Sequence, residues 1–186
     1  MGAPFSLVGD MIKYRELKDT EVNRDLFYEF KRRQEVKDCW RRVNGEWVIR
    51  EDPFIDEWSE EDYQFLIKCL QNTIKTGGVV FGAFREGVLK GFASVEAGRF
   101  GSKKQYLDLS SIHVSEEMRG SGIGTELFLM ACRWAKAHGA EKLYISAHSA
   151  VETQAFYHAR GCVEAEEYNR EHVEKEPYDC QMEFVL

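Results

Sequence analysis

The alternation of apolar and polar residues along the chain separates strand-like from helix-like segments. The stretch MIKYREL, residues 11–17, alternates between the two kinds of position, which predicts a first strand. Thr20 then precedes residues 21–33, in which apolar residues recur at helical spacing, and this predicts a helix capped by Thr20. The apolar face of that helix would be formed by Val22, Leu26, Phe27 and Phe30.

In the next part of the chain, short sequence motifs predict a hairpin turn and the start of a helix. Asn44-Gly45 joins two aromatic-bearing runs within residues 39–51, and this dipeptide is typical of a tight β-hairpin, with an ordered loop as the alternative. Ser59 is followed by three acidic residues, which favours a helix start because carboxylates are stabilised at the positive end of a helix. This helix is expected to end near Thr76, before two glycines.

The second half of the chain predicts alternating strands and helices. A long helix is expected from Ile123 to Gly139, where glycine permits a C-terminal cap, and a short helix at residues 151–160. The predicted element order is β-α-α-β-β-β-α-β-α-β-β, with the hairpin as an addition in the early part. The strands are expected at residues 79–86, 88–98, 105–114, 142–147, 162–167 and 180–186.

Composition limits the class of protein. The chain has 186 residues, of which 44% are hydrophobic and only three are proline, so we expect one domain over residues 11–186. Residues 1–10 are expected to be a leader, although MGAPFS also fits a myristoylation pattern. A net charge of −7 argues against nucleic-acid binding, and no apolar run approaches the roughly 20 residues of a membrane span.

The five cysteines are an odd number without close pairs. This spacing favours reduced thiols in a cytoplasmic protein, because neither a disulfide framework nor a metal site is indicated. The sequence leaves the oligomeric state open, with a homodimer as one option.

The most informative stretch is RGSGIG, residues 119–124, which lies between a predicted strand and the long helix. Backbone N–H groups at a helix N-terminus have no intrahelical partners, and the helix dipole adds positive charge, so this position binds anions. Three glycines within five residues exceed what a tight turn needs and indicate close approach of a phosphate group to the backbone. The spacing matches neither the dinucleotide fingerprint nor the P-loop, which disfavours a nicotinamide oxidoreductase.

The pattern R-x-x-G-x-G closely resembles the acyl-CoA-binding motif of the GCN5-related N-acetyltransferases. The segment FYHARGC, residues 156–162, and the predicted element order are also similar to that family. The resemblance implies a mixed, mostly antiparallel α/β fold, flanked by helices, whose central sheet splays between its fourth and fifth strands. It also implies acetyl-CoA as co-substrate and no metal.

The same resemblance assigns the cofactor contacts. The strand segment Ile112, His113 and Val114 would hold the pantetheine arm and the acetyl carbonyl through its backbone. Relatives often place an asparagine before the short helix, where this chain has Ala150, so Ser149 is expected to replace that contact. The pyrophosphate would be held by Arg119, Gly120, Ser121, Gly122, Ile123, Gly124 and Thr125.

Acetyl transfer to an amine needs a base, because an alkylammonium has a pKa of about 10.4 and is almost entirely protonated at neutral pH. The predicted fourth strand has serines where relatives place a carboxylate, which leaves Asp108 and Glu96 as candidate bases and a water relay as the alternative. His113 and His148 have suitable chemistry, but lone histidines are more often structural. The resemblance assigns Tyr157 as the acid or hydrogen-bond donor for the departing thiolate.

The acceptor site is less clearly marked. Glu174, Glu176 and Asp179 lie in the loop before the last strand and would either attract a cationic amine or remain solvated. Aromatic residues of the early region would line the acceptor pocket or belong to the core. These aromatic residues are Trp40, which is the leading candidate, Trp47, Phe54 and Trp58.

The leading hypothesis is an N-acetyltransferase that moves an acetyl group from acetyl-CoA to a primary amine of a small molecule, by direct attack in a ternary complex. Aminoglycoside-like antibiotics, polyamines and amino acids all suit such a site. A peptide or protein N-terminus is an alternative acceptor. The competing hypothesis is a sensor that binds acyl-CoA without catalysis.

Overall fold

The computed structural model describes residues 11–186, so the expected leader and its alternative, a myristoylation signal, lie outside the described residues. The described strands are β1 Lys13–Glu16, β2 Arg33–Val43, β3 Glu46–Glu57, β4 Val79–Arg85, β5 Val88–Val95, β6 Tyr106–Val114, β7 Lys142–Ala147, β8 Val163–Glu164 and β9 Cys180–Val185. The helices are α1 Glu60–Lys75, α2 Ile123–Ala137, α3 Val151–Arg160 and α4 Arg170–Lys175, with short 3-10 turns at Asp25–Phe27 and Glu116–Met118.

Within residues 11–186, seven strands form one sheet in the order β1-β4-β5-β6-β7-β9-β8, while β2 and β3 form a separate hairpin. The β6–β7 pair is parallel and the other pairs are antiparallel. One face of the sheet packs on α2 through Leu127 and Ala131, and the other packs on α1 through Ile67 and Leu70. The predicted mixed, mostly antiparallel sheet with flanking helices is therefore confirmed.

The sheet opens between its two central strands. β6 and β7 pair only where Tyr106–Asp108 lies beside Lys142–Tyr144, and beyond this point the two strands diverge. The predicted splay lies here, because β6 and β7 are the strands that the family resemblance numbers four and five. The backbone groups of β6 that face β7 after Asp108 have no strand partner, so they are available to a ligand.

A bulge in β6 lies close to the point of divergence. Ser111 pairs with Ser94 of β5, and Leu109 pairs with Val95, so Ser110 is an extra residue in the ladder. A β-bulge bends the strand that carries it and increases the local twist. The bulge therefore helps to turn the rest of β6 away from β7.

The β2–β3 hairpin crosses the opening between these strands. At its start, the Lys31 N–H donates to Ser115 Oγ at 2.9 Å and the Lys31 carbonyl accepts from the Glu116 N–H at 2.9 Å. Further along, the Trp40 N–H donates to the Ser149 carbonyl at 2.8 Å. β2 therefore reaches from the end of β6 to the end of β7. The hairpin itself is confirmed, and Asn44 and Gly45 have the positive φ angles, 51° and 86°, that its turn requires.

The helix predicted over residues 21–33 is wrong. This segment is irregular apart from the 3-10 turn, although Val22 and Phe27 are buried as expected. The side chain of Asn23 accepts a hydrogen bond from the Leu26 N–H at 3.1 Å, and the Glu21 carboxylate accepts from the N–H of Lys18, three residues earlier, at 2.8 Å. Such side-chain acceptors offer the backbone an alternative to a helix. The apolar residues are therefore buried at their helical spacing although no helix forms.

The prediction for the loop before the last strand was also incomplete. It contains α4, which begins because Asn169 Oδ1 accepts from the N–H groups of Glu171 and His172. The strand expected at residues 162–167 is limited to Val163–Glu164. In the part of the chain that the structure describes, no helix is long and apolar enough to cross a membrane.

The helix start predicted at Ser59 is confirmed as a capping box. Ser59 Oγ accepts from the Asp62 N–H at 3.2 Å, and Asp62 Oδ2 accepts from the Ser59 N–H at 2.7 Å. We expect S59A to lower the free energy of unfolding by about 1 kcal/mol, because N-cap substitutions by alanine cost about that much. Urea denaturation followed by circular dichroism measures the change. E61A, which changes an exposed residue of the same turn, is the control, and an equal loss in both variants would contradict the cap assignment.

Candidate active site

The opening between β6 and β7 forms a cleft of about 690 Å³. Its walls come from the diverging strands, the start of α2, one side of α3, the base of the β2–β3 hairpin and the loop before β9. The cleft passes between the two faces of the sheet, so that α2 and α3 border one side and residues near α1 border the other. Two ligands entering from opposite faces would therefore meet between the strands.

The β6 wall combines apolar side chains with the unpaired backbone edge. Ile112 and Val114 pack against the core under α2, whereas the His113 ring points to the other face and lies against Trp58 and Phe92, with ring centroids 4.8 and 5.4 Å away. Burial, with the nearby guanidinium of Arg32 adding to it, lowers the pKa of His113 to about 3. This histidine is therefore neutral at physiological pH and too weak a base to deprotonate an alkylammonium.

The glycine loop leaves open space in front of the α2 N-terminus. Gly120 and Gly122 have φ angles of 78° and 86°, and a Cβ atom added to either would meet no atom within 4 Å. Gly122 is the N-cap and supplies no side-chain hydrogen bond, so the first N–H groups of α2 remain unpaired. Gly124 also lines the cleft, and an added Cβ there would lie 3.1 Å from Phe156, so this glycine permits close packing of α2 and α3.

Basic side chains surround the same helix end. Arg160 of α3 donates from Nη1 to Thr125 Oγ1 at 2.7 Å, and its guanidinium lies over the Phe156 ring. Arg119 lines the cleft, and burial followed by repulsion from Arg32 lowers its pKa. Arg160 was missed from the sequence, where nothing distinguished it from other basic residues at helix ends. Together with the unpaired N–H groups and the open space, these residues fit a pyrophosphate.

Tyr157 lies on α3 with its side chain buried and borders the cleft. Its hydroxyl makes no hydrogen bond to any residue in the described range, which leaves it free for a ligand. Burial is the largest cause that raises the pKa of Tyr157, with smaller effects from Cys162 and Asp179. The phenol therefore stays protonated at physiological pH and can donate a hydrogen bond.

Asp179 is the carboxylate that faces the cleft beside β7. Its Oδ2 accepts from Ser146 Oγ at 3.0 Å, and burial raises its pKa above the ordinary aspartate value. Glu176 also lines the cleft, whereas Glu174 is exposed and lies 3.9 Å from Arg170 on α4. His148 borders the cleft too, and its Nδ1 accepts from the Ala150 N–H at 3.0 Å.

The two carboxylates first considered as bases do not line the cleft. Asp108 Oδ2 lies 2.7 Å from His172 Nε2 on α4, behind the point where the strands part. Glu96 Oε1 accepts from Thr73 Oγ1 at 2.6 Å and from Ser110 Oγ at 2.8 Å. Glu96 therefore reaches the cleft only through Ser110, which does line it.

Three further candidate residues, Ser149, Trp40 and Trp47, lie away from the cleft. Ser149 is buried, and its hydroxyl accepts from Arg41 Nη1 at 2.7 Å. Trp40 and Trp47 border a separate cavity of about 250 Å³ between the hairpin, α3 and β9. Of the four early aromatic residues, only Trp58 lines the cleft. Within residues 11–186, no group of three or more His, Cys, Asp or Glu residues is arranged to hold a metal ion.

Comparison with known proteins agrees with this architecture. The sequence model described as the acetyltransferase (GNAT) family matches residues 36–162. No curated protein matches the sequence significantly. A putative streptothricin acetyltransferase from Bacillus anthracis, solved with acetyl coenzyme A, is 17% identical with a TM-score of 0.69, covering 95% of this chain and 99% of that chain.

Two other solved structures are similar. Nourseothricin acetyltransferase is 16% identical with a TM-score of 0.67, covering 94% of this chain and 98% of that chain. The PaiA N-acetyltransferase from Thermoplasma acidophilum, solved with coenzyme A, is 18% identical with a TM-score of 0.60, covering 95% and 99%. At these identities the likeness shows a shared fold.

Proposed function

The chain belongs to the acetyltransferase (GNAT) family, and on this premise we propose that it moves an acetyl group from acetyl-CoA to a primary amine of a small molecule. The observation that carries the proposal is the cleft between β6 and β7, which admits ligands from both faces of the sheet. A hydrogen-bond donor, Tyr157, and a carboxylate, Asp179, border that cleft. Direct attack by the amine in a ternary complex needs this arrangement.

The α2 face suits the cofactor. The unpaired N–H groups after Gly122, together with Arg119 and Arg160, would bind the pyrophosphate, and the open edge of β6 at Ile112 and Val114 would hold the pantetheine arm. When bound, acetyl-CoA supplies the thioester whose acetyl group is transferred. A backbone N–H of β6 would stabilise the charge that develops on the carbonyl oxygen.

The opposite face suits the amine. Asp179 and Glu176 give this part of the cleft negative charge, which attracts an alkylammonium. Because burial raises the pKa of Asp179, its carboxylate is a better proton acceptor than an ordinary aspartate. We assign Asp179 as the base that takes the proton from the attacking nitrogen, with Glu96 acting through Ser110 as the alternative.

Tyr157 would donate a hydrogen bond to the sulfur as the carbon–sulfur bond breaks. Full proton transfer is uphill, since a thiol has a pKa of about 8.5 and burial raises the pKa of this phenol further above its ordinary value of about 10. We therefore expect Y157F to lower kcat by about 10²-fold, the lower end of the range for acid catalysis, with little change in the KM for acetyl-CoA. Steady-state kinetics test this expectation.

The control for Tyr157 is Y28F, which changes a tyrosine that is 83% exposed. It should retain full activity. A kcat within threefold of the unmodified enzyme in Y157F would show that the hydroxyl does not assist departure of the thiolate.

A free-thiol release assay with acetyl-CoA and a panel of amines tests the proposed function. The panel contains polyamines, basic amino acids, aminoglycoside-like antibiotics, streptothricin and a peptide with a free N-terminus. We expect thiol release that depends on at least one small-molecule amine, with the acetylated product identified by mass spectrometry. Tight acetyl-CoA binding without turnover of any amine would support the non-catalytic sensor. Turnover of the peptide alone would show that the acceptor is a peptide or protein N-terminus and not a small molecule.

A further inference from the structure

One end of the cleft contains a buried guanidinium with unused hydrogen-bond donors. The Arg32 side chain is only 9% exposed, and its Nη2 lies 2.5 Å from Asp56 Oδ2. Its Nε and Nη1 atoms are buried and have no hydrogen-bond partner within residues 11–186. Buried donors without acceptors are costly, so such a pair of N–H groups beside a cavity indicates that an acceptor arrives with a ligand.

Arg32 lies on the face of the sheet that we assign to the amine. Its guanidinium carbon is 5.5 Å from the Trp58 ring centre, and Trp58 packs against Tyr63 of α1 and against His113. The unpaired N–H groups at the start of α2 and the Tyr157 side chain belong to the other face. The Arg32 donors are therefore placed to meet the acceptor molecule.

This end of the cleft also has positive charge. Arg119, which we assign to the pyrophosphate, lies near enough to Arg32 for the two guanidinium groups to repel each other, while His113 is neutral. Asp56 compensates one of the two guanidinium groups. Glu35 at the base of the hairpin also lines the cleft but is paired with Arg33, whereas Asp179 and Glu176 make the other end of the cleft the more negative one.

We propose that Arg32 binds a carboxylate of the acceptor, so that the acceptor is an amino acid or an amino-acid derivative acetylated on a side-chain amine. A carboxylate accepts from two N–H groups that share one edge of a guanidinium. Nε and Nη1 lie on different edges, so the carboxylate would take one of them together with the second N–H of Nη2. The proposal rests on the proposed function of the cleft, and it names the chemical class of the second substrate.

Counting residues along the two strands from their last pair indicates the separation of the two ends. Asp179 is held at Ser146, two residues beyond Tyr144 of the Asp108–Tyr144 pair at which the strands part, and Ser110 is the residue at the same count along β6. His113, beside Arg32, is three residues beyond Ser110, which corresponds to about 10 Å at the rise of a β-strand. A lysine-length acceptor with a hydrogen bond at each end spans such a distance.

The test is isothermal titration of the CoA-loaded protein with L-lysine and with L-lysinamide, which differ in the carboxylate. We expect lysine to bind about 30-fold more tightly than lysinamide, the range for charge-assisted hydrogen bonds. R32M should remove this preference by weakening lysine binding alone. R33M is the matched control, because Arg33 is the next residue and is paired with Glu35 at 2.7 Å.

Equal binding of lysine and lysinamide by the unmodified protein, or no binding of either, would overturn the proposal without reliance on any variant. A loss of affinity for acetyl-CoA in R32M, with lysine binding retained, would also overturn it, because Arg32 would then bind a phosphate of the cofactor. Acetylation assays separate this inference from the proposed function. Equal turnover of lysine and lysinamide would support the acetyltransferase and refute the carboxylate site. Selective binding of lysine without turnover would support the carboxylate site and refute the acetyltransferase.

Discussion

Replacing Asp179 with asparagine is expected to lower kcat/KM for the amine by about 10³-fold, within the range for loss of a general base. The carboxylate faces the cleft, accepts from Ser146 and has a pKa raised by burial, so it is suited to take a proton from a bound ammonium. Asparagine has nearly the same shape but cannot accept the proton. The KM for acetyl-CoA should change little, because the proposed cofactor contacts lie on the other face of the sheet.

The pH profile distinguishes a base from a merely structural carboxylate. In the unmodified enzyme, activity should fall as the pH decreases through the raised pKa of Asp179, which places the acidic limb above the ordinary aspartate value of about 3.9. In D179N the inflection at this pKa should disappear. Only the free amine then reacts, so the residual rate should rise about tenfold per pH unit up to the pKa of the amine, about 10.4.

E174Q is the control for Asp179, since Glu174 is exposed on the same loop. It should leave the rate and the profile unchanged. E96Q tests the alternative base. If E96Q, and not D179N, lost the inflection of the acidic limb, the base would be Glu96 acting through Ser110.

The second large effect is expected at the glycine loop, where G122V should weaken acetyl-CoA binding by about 10³-fold. Gly122 has a φ of 86°, a conformation that valine rarely adopts, so the loop must change shape and the first N–H groups of α2 lose their common direction. Loss of two charge-assisted hydrogen bonds accounts for an effect of about this size. Isothermal titration with acetyl-CoA measures it directly.

Gly87 provides a matched control for the strain. It lies in the β4–β5 turn at a φ of 81°, and an added Cβ would also meet no atom within 4 Å. G87V should therefore lose similar stability in a thermal melt but keep its affinity for acetyl-CoA. Near-normal affinity in a folded G122V variant would rule out the assignment of this loop to the pyrophosphate.

Sequence patterns predicted most of the elements that surround the cleft. The α1 start at Ser59, the turn at Asn44-Gly45 and the loop before α2 were predicted because each depends on hydrogen bonds or φ angles within a few residues. The splay between β6 and β7 was implied by the family resemblance and not by the apolar pattern. The residue-level assignments within the cleft remain predictions.

The first predicted helix shows where local patterns fail. Val22 and Phe27 have helical spacing and are buried, but the segment is irregular because Asn23 and Glu21 bond to nearby backbone N–H groups. Phe27 packs against Phe92 of β5, with ring centroids 5.5 Å apart, so its side chain is buried without a helix. Burial was therefore predicted correctly while the backbone conformation was not.

The sequence by itself determined the short-range features: the capped α1, the hairpin turn and the glycine-rich start of α2, since their determinants lie within single segments. Only the tertiary structure decided which side chains face the cleft. Asp108 is held by His172, 64 residues away, and Asp179 reaches the cleft beside Ser146, 33 residues away. The unpaired donors of Arg32 could be recognised only from the tertiary structure, in which Trp58 and Asp56 lie against the guanidinium. Contacts between distant segments depend on how the sheet and the hairpin pack, which no local pattern specifies.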